Sequence, residues 1–317
     1  MNALPVPSIT TSCAMLGRES AHSCLHRSAQ THLDRQTLSF LSVPEGPEIR
    51  RAADRLGKAL IGRTIEHAKL PYATFIGREH LIQGQTVIDV TSRAKAMLIR
   101  FENGWTMYSH NQLYGRWTVN LVTTKNTMRR TLRAELCTEK HAVRLWSATD
   151  IDLIPTIEEP LHAFLARLGP DVLEAEVDSE VLYNQLVSKQ CFRKKGATLM
   201  LDQRSFAGLG NYLRSEILFS AGVHPDDRPC DLPEERLRAW AEAIKNVTVQ
   251  AYQTGGITVP KSVAEAGKSR GEPRRTWRHY AFCRNERPCL KCATLIVRLR
   301  YGGRRLDHCP RCQTTHR

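Results

Sequence analysis

The chain has 317 residues, enough for two domains and a sizeable core, and carries 46 lysines and arginines against 32 acids, a formal net charge of +14. No apolar run reaches the roughly 18 residues of a membrane span, which excludes a helical membrane protein. The charge points to an anionic partner, most often nucleic acid, with an anionic membrane surface as the alternative.

Residues 1–42 are rich in Ser, Thr, His and Gln, hold only two acids (Glu19 and Asp34) and show no sustained period; they are expected to be disordered. Gly46-Pro47 fits a helix start. Ile49, Ala52, Ala53, Leu56, Ala59 and Leu60 then fall on one helical face, and Gly62 ends the helix. Residues 63–150 are strand-like: 87–90, 97–99, 105–108 and 143–146 are short apolar or alternating runs broken by turn residues, a density that predicts a sandwich or barrel. From about Leu161 the period becomes helical, with helices predicted over 181–187, 197–206, 212–221 and 234–252. Gly208-Leu209-Gly210-Asn211 is a Gly-rich turn leading into a helix N-terminus. Residues 254–276 are rich in Gly, Lys and Arg and read as a flexible linker. From Lys261 onward 15 lysines and arginines face 4 acids, so much of the basic character is concentrated there.

Of ten cysteines, four are patterned: Cys289-Leu-Lys-Cys292, then 16 residues, then Cys309-Pro-Arg-Cys312. Two such knuckles suit one tetrahedral Zn2+, and four thiolates leave no open position, so the zinc is structural. In so short a segment metal binding supplies much of the folding energy. Cys13, Cys24, Cys137, Cys191, Cys230 and Cys283 are scattered and read as buried or free thiols of a reducing compartment. Arg298, Arg300, Arg304, Arg305 and Arg311 around the knuckles suit DNA or RNA, with a solvated charged face as the alternative.

Five segments in order carry a resemblance: Pro44-Glu45-Gly46-Pro47-Glu48-Ile49, Ser109-His110-Asn111-Gln112-Leu113-Tyr114-Gly115, Leu168-Gly169-Pro170-Asp171, Gly208-Leu209-Gly210-Asn211-Tyr212-Leu213, and the four-cysteine finger. From residue 43 to Cys312 the chain resembles the formamidopyrimidine-DNA glycosylase / endonuclease VIII family. The first two segments look like the endonuclease VIII branch. The resemblance implies an α+β fold. An N-terminal catalytic β-sandwich with a leading helix would span 43–160, a helix-two-turn-helix DNA-binding domain 161–260, and a linker and zinc finger 261–317. It further implies a monomeric bacterial cytoplasmic enzyme, nucleoid-associated when bound, acting on duplex DNA that contains damaged bases or abasic sites. The expected activity is a bifunctional DNA glycosylase and AP lyase for oxidised pyrimidines, with oxidised purines as the alternative.

Residue by residue, Pro44 would be the nucleophile, Glu45 the general acid and Glu48 a proton-shuttling or water-positioning acid. For an isolated Glu at a helix start, complementing the helix dipole is the plainer reading. Lys95, in a turn where members often carry Gly at position 94, would contact phosphate and assist β-elimination; a lone turn lysine is otherwise simply solvated. Arg304 would serve δ-elimination, although Arg305 follows directly and Arg305-Leu306-Asp307-His308 replaces the family's usual small and aromatic residues. Gln112, Leu113 and Tyr114 would fill the gap left by a flipped nucleotide, or form a buried strand end. Arg167 and Asn211 would contact DNA.

The chemistry needs a free amine on Pro44. An N-terminal amine titrates near pH 8, so an appreciable fraction is neutral at physiological pH, and a secondary amine yields an iminium cation without protonation. An internal proline has no such amine. Three arrangements compete: initiation at position 43, where a GUG codon reads as Val internally; cleavage before Pro44 of a targeting segment; or retention of residues 1–42 in a DNA-binding protein without lyase activity.

Overall fold

The computed structural model describes residues 44–316; the disorder expected for 1–42 lies outside the described residues. Helix α1 (Gly46–Leu60) carries Pro47 in its first turn, where no intrahelical N–H is needed, and Lys58 in its last. Ile49, Ala53, Leu56, Ala59 and Leu60 are buried along one face, while Arg51, Asp54, Arg55 and Lys58 point outward. Gly62, at φ +73°, turns the chain away in a conformation that favours glycine.

Eight antiparallel strands follow in two sheets. Strands β2 (Val87–Arg93), β3 (Ala96–Phe101), β4 (Trp105–His110) and β8 (Asp150–Pro155) pair in the order β2-β3-β4-β8. Strands β1 (His67–Lys69), β6 (Leu132–Cys137), β7 (His141–Trp146) and β5 (Arg116–Leu121) pair in the order β1-β6-β7-β5. Val90, Met97, Ile99 and Met107 from one sheet, Leu136, Val143 and Leu145 from the other, and the apolar face of α1 share one core. Strand β3 breaks simple alternation because both its faces are covered: Ala96 and Leu98 pack with Tyr108 under Phe164 and Leu165.

The second core is helical. Helix α2 (Ser179–Val187) is capped by Asp178, whose side chain accepts the Val181 N–H at 2.9 Å. Helix α3 (Gly196–Leu199) is far shorter than the helix expected over 197–206. The Asp202 carboxylate accepts the Arg204 N–H (3.0 Å) and the Ser205 hydroxyl (3.2 Å), a local alternative that turns the chain back. Helices α4 (Asn211–Ala221) and α5 (Glu234–Thr254) end in left-handed Gly222 and Gly255. Leu182, Leu186, Phe206, Ile217, Leu218, Trp240 and Ile244 fill the space between these elements.

The stretch 254–276 is not the expected linker. It forms helix α6 (Lys261–Ser269), with Ala264 and Gly267 buried. A Cβ on Gly267 would stand 2.5 Å from the Trp277 indole, so glycine lets the helix lie on the ring. The chain closes with a hairpin, β9 (Val297–Tyr301) and β10 (Arg304–His308), turned by Gly302 and Gly303. Buried Glu216 of α4 ties down the approach to this hairpin: it accepts the N–H groups of Tyr280, Ala281 and Phe282, each at 2.8 Å, and the Thr258 hydroxyl at 2.6 Å.

Candidate active site

The start of α1 meets the start of α4 through the Gly-rich turn. The Gly46 N–H donates to the Gly208 carbonyl at 2.8 Å, and the Glu45 carboxylate accepts the N–H groups of Tyr212 (2.8 Å) and Leu213 (3.2 Å). Those are unsatisfied donors of the first helical turn, and a carboxylate suits them. The approach requires glycine, since a Cβ on Gly210 would lie 2.3 Å from the Glu45 carboxyl carbon.

Glu45 is 4% exposed. Burial raises its carboxyl to about 7; Lys95 opposes the rise, Glu48 adds to it, and the two helix N–H groups oppose it. Lys95 sits opposite, on the turn between β2 and β3, and donates its Nζ to the Leu209 carbonyl. Burial lowers its ammonium to about 8, with Glu45 pulling upward and Arg304 pushing further down. An acid able to hold a proton near neutrality thus faces an amine able to lose one, in a single cleft. The Lys95 turn is itself held: the Ala94 N–H donates to Asp171 at 2.5 Å.

A cleft of about 530 Å³ brings together Pro44, Glu45, Lys95, Gln112, Leu113, Asn211 and Arg304. Arg304 reaches it without an ion pair among the described residues, whereas Arg305 lies over the Phe282 ring at 4.5 Å. The Arg305 carbonyl accepts a hydrogen bond from buried Arg214 at 2.7 Å, which anchors the hairpin against α4. Burial lowers that guanidinium to about 10.

The loop between β4 and β5 carries Leu113 and Tyr114 half-exposed, so these are not buried strand-end residues. Gln112 adopts φ +48° and its Oε1 accepts the Thr149 hydroxyl at 2.7 Å. Tyr114 and Arg167 do not line the cleft. Arg167 is exposed and bonds back to the Ala163 carbonyl at 2.6 Å. Glu48 lies behind Glu45 and lines a second cleft of about 590 Å³, for which Pro44 is a shared wall. Its carboxylate accepts the Glu45 N–H at 3.1 Å and contacts the Tyr212 hydroxyl at 3.1 and 3.2 Å.

The four patterned cysteines converge, with all Sγ atoms within 4.8 Å of one another. Cys289 and Cys312 approach to 3.9 Å, and Cys292 and Cys309 to 3.4 Å. A tetrahedral site with metal–sulfur bonds of about 2.3 Å needs sulfurs about 3.8 Å apart, so this donor set fits a metal ion. Cys137 and Cys191 are buried, Cys230 is exposed and Cys283 is half-buried, all as free thiols; Cys13 and Cys24 lie outside the described residues.

Sequence reasoning missed the supporting residues. Tyr212, Arg214 and Glu216 follow Asn211 closely, and Asp171 ends a recognised motif, but their long-range partners lie between 17 and 167 residues away. Only proximity to the motifs could have flagged them. Among the described residues, no helix is long and apolar enough to cross a membrane.

Residues 43–149 match the formamidopyrimidine-DNA glycosylase N-terminal domain, and residues 168–262 the formamidopyrimidine-DNA glycosylase H2TH domain. Endonuclease 8 of Escherichia coli and that of Pectobacterium carotovorum are each 36% identical over 271 residues, which is 86% of this chain and all of the relative. The fold matches Lactococcus lactis formamidopyrimidine-DNA glycosylase bound to DNA with an abasic site (TM-score 0.70, 19% identity) and in complex with DNA containing an oxidised pyrimidine (TM-score 0.71, 19% identity). Each alignment covers 86% of this chain and 100% of the other. The chain belongs to the formamidopyrimidine-DNA glycosylase / endonuclease VIII family, whose members are DNA glycosylases with AP lyase activity.

Proposed function

We propose that the protein removes oxidised pyrimidines from duplex DNA and cuts the strand at the resulting abasic site by β,δ-elimination, with Pro44 as nucleophile. One observation carries this reading: Pro44, Glu45, Lys95 and Arg304 share one cleft, in which burial lifts Glu45 to about 7. Similarity to the Endonuclease 8 relatives supports the endonuclease VIII branch, for which the resemblance implies pyrimidine over purine lesions. A base must leave the stack before its C1′ can be attacked. The Pro44 nitrogen bonds to C1′, the C1′–base bond breaks, and the departing base takes up a proton delivered from Glu45. Ring opening leaves the iminium, an electron sink. Loss of a C2′ proton expels the 3′ phosphate with help from Lys95. A further proton loss expels the 5′ phosphate with help from Arg304, and water then releases the sugar remnant. Glu48 shuttles protons or positions water behind Glu45.

Gln112, Leu113 and Tyr114 occupy the hole in the duplex, Leu113 as an apolar wedge. Asn211 and Arg167 contact phosphates. Cys289, Cys292, Cys309 and Cys312 hold one Zn2+, which supplies structure to the hairpin bearing Arg304 and no chemistry of its own. The enzyme acts as a monomer in the bacterial cytoplasm, on the nucleoid when bound. Pro44 can act only in a chain on which its amine is free.

Borohydride reduction traps the iminium. A protein whose intact mass begins at Pro44 is expected to form a covalent adduct with abasic duplex DNA, and Pro44→Gly to form much less. An equal adduct from Pro44→Gly removes Pro44 as the nucleophile, and no adduct from the protein beginning at Pro44 removes the lyase mechanism.

A further inference from the structure

Tyr212 touches both acids of the site by two different groups. Its backbone N–H donates to Glu45 Oε1 at 2.8 Å, and its hydroxyl stands 3.1 and 3.2 Å from the two oxygens of Glu48. The ring is 2% exposed and packs in a three-ring cluster with His279 (centroids 5.2 Å apart, 27° between planes) and Phe282 (6.2 Å, 59°), which themselves meet edge-on at 5.7 Å. We propose that Tyr212 is a positioning residue of the reaction, holding Glu48 in one place behind Glu45 whichever protonation state Glu48 has.

A phenol has one proton to donate and lone pairs to accept with. When Glu48 is ionised the hydroxyl donates to it, and the Glu45 N–H holds Oε2 at 3.1 Å. When Glu48 is protonated its own O–H can donate to the phenol oxygen with no change of rotamer. The near-equal distances to both oxygens suit either arrangement. Burial raises the Glu48 carboxyl, while the Glu45 N–H and the Tyr212 hydroxyl hold it down. A group that passes protons needs such a mount, because reorientation on each transfer would slow it. Asn or Ser could hold an ionised carboxylate too, but not from a ring packed against both His279 and Phe282.

The inference rests on the role assigned above to Glu48, and a double-mutant cycle separates the two. Tyr212→Phe keeps the ring and the N–H to Glu45 and removes only the hydroxyl. In single-turnover excision of an oxidised pyrimidine, Tyr212→Phe is expected to lower the rate about tenfold, with the Kd for the lesion duplex within twofold. In the Glu48→Gln background the same change is expected to cost less than twofold, since the group it positions is gone. A melting temperature close to wild type confirms that the comparison is between folded proteins. Equal losses in both backgrounds would mean that Tyr212 is only a packing residue, and a wild-type rate for Tyr212→Phe beside an impaired Glu48→Gln overturns the positioning role alone. Glu48→Gln at the wild-type rate overturns the role of Glu48 and the inference with it.

Discussion

Helix α4 serves two buried carboxylates, Glu45 at its first turn and Glu216 from its own middle, and they end with different jobs. Burial is the largest cause of a raised carboxyl in each. Glu216 is saturated: one oxygen accepts the N–H groups of Ala281 and Phe282, the other that of Tyr280 and the Thr258 hydroxyl. No lone-pair direction remains for a proton or a substrate. Glu45 accepts one N–H on each oxygen and faces the cleft beside Lys95. Donor count separates anchor from acid: a full set of partners makes structure, and a half set at a cleft leaves room for a proton.

The largest expected effect breaks the cleft end of this comparison. Glu45→Gln should lower single-turnover base excision by about 10²–10⁴-fold, as for loss of a general acid, with duplex affinity nearly unchanged by fluorescence anisotropy. The wild-type rate should fall as pH rises through about 7, because the proton that Glu45 delivers in the proposed mechanism is lost there; Glu45→Gln should lose that descent. A pH profile without the descent in wild type removes Glu45 as the acid. Stability follows the same sign. The folded carboxyl titrates above its unfolded value, so its contribution is full below the unfolded pKa and is lost as pH rises through about 7. Lys95 behaves oppositely: its folded pKa is lowered, so its contribution is present above the unfolded value and lost as pH falls through about 8.

The next effect breaks the anchor end. Glu216→Gln puts an amide NH2 where one oxygen accepted two donors. A buried unsatisfied donor costs about 1–3 kcal/mol. The Thr258 hydroxyl also lies 2.9 Å from His279 Nδ1 and 3.2 Å from the Arg278 carbonyl, so it can find another partner. A loss of about 2 kcal/mol in urea unfolding is expected, with the excision rate of the folded protein within threefold of wild type. A hundredfold loss of rate at unchanged stability would make Glu216 a chemical group and erase the distinction.

Much of this was legible in local sequence. The cysteine knuckles needed only spacing, because their geometry is closed within 24 residues, 289 to 312. Helix α1 and strands β2, β3, β4 and β7 announced themselves by period, whereas β1, β5, β6 and β8 were not singled out. The helical start at Gly208-Leu209-Gly210-Asn211 was visible because glycine marks the close approach to Glu45. What was not legible depended on distant partners or on a composition that mimics a loop. Helix α6 hides in a Gly- and Lys-rich stretch because it buries only Ala264 and Gly267, on a tryptophan that follows it. The helix expected over 197–206 stops early because Asp202 bonds to its own turn. The choice between Arg304 and Arg305, in which the spacing to Cys292 and Cys309 favours Arg304, is narrowed further by packing: Arg305 rests on Phe282 and Arg304 faces the cleft. Tyr212 and Glu216 looked like ordinary helix residues, since nothing local tells which buried polar group meets which acid.

The smallest expected effect concerns Ala94, which stands at φ +54° in the Lys95 turn. The left-handed conformation costs a non-glycine residue about 1–2 kcal/mol. Changing Ala94 to Gly removes that cost. Against this, the variant loses a buried methyl, about 0.8 kcal/mol, and gains unfolded-state freedom of about 0.5–1 kcal/mol. The terms nearly cancel, so stability should move by less than about 1 kcal/mol in either direction by thermal unfolding. If the strain served to aim Lys95, relaxing it would slow strand cleavage even at unchanged stability. The geometry argues otherwise: the turn is fixed by the Ala94 N–H to Asp171 and Lys95 by its bond to the Leu209 carbonyl, and a glycine at 94 keeps both. Ala94→Gly should therefore cleave abasic DNA within twofold of wild type, whereas Asp171→Ala, which frees the turn, should cleave it more slowly.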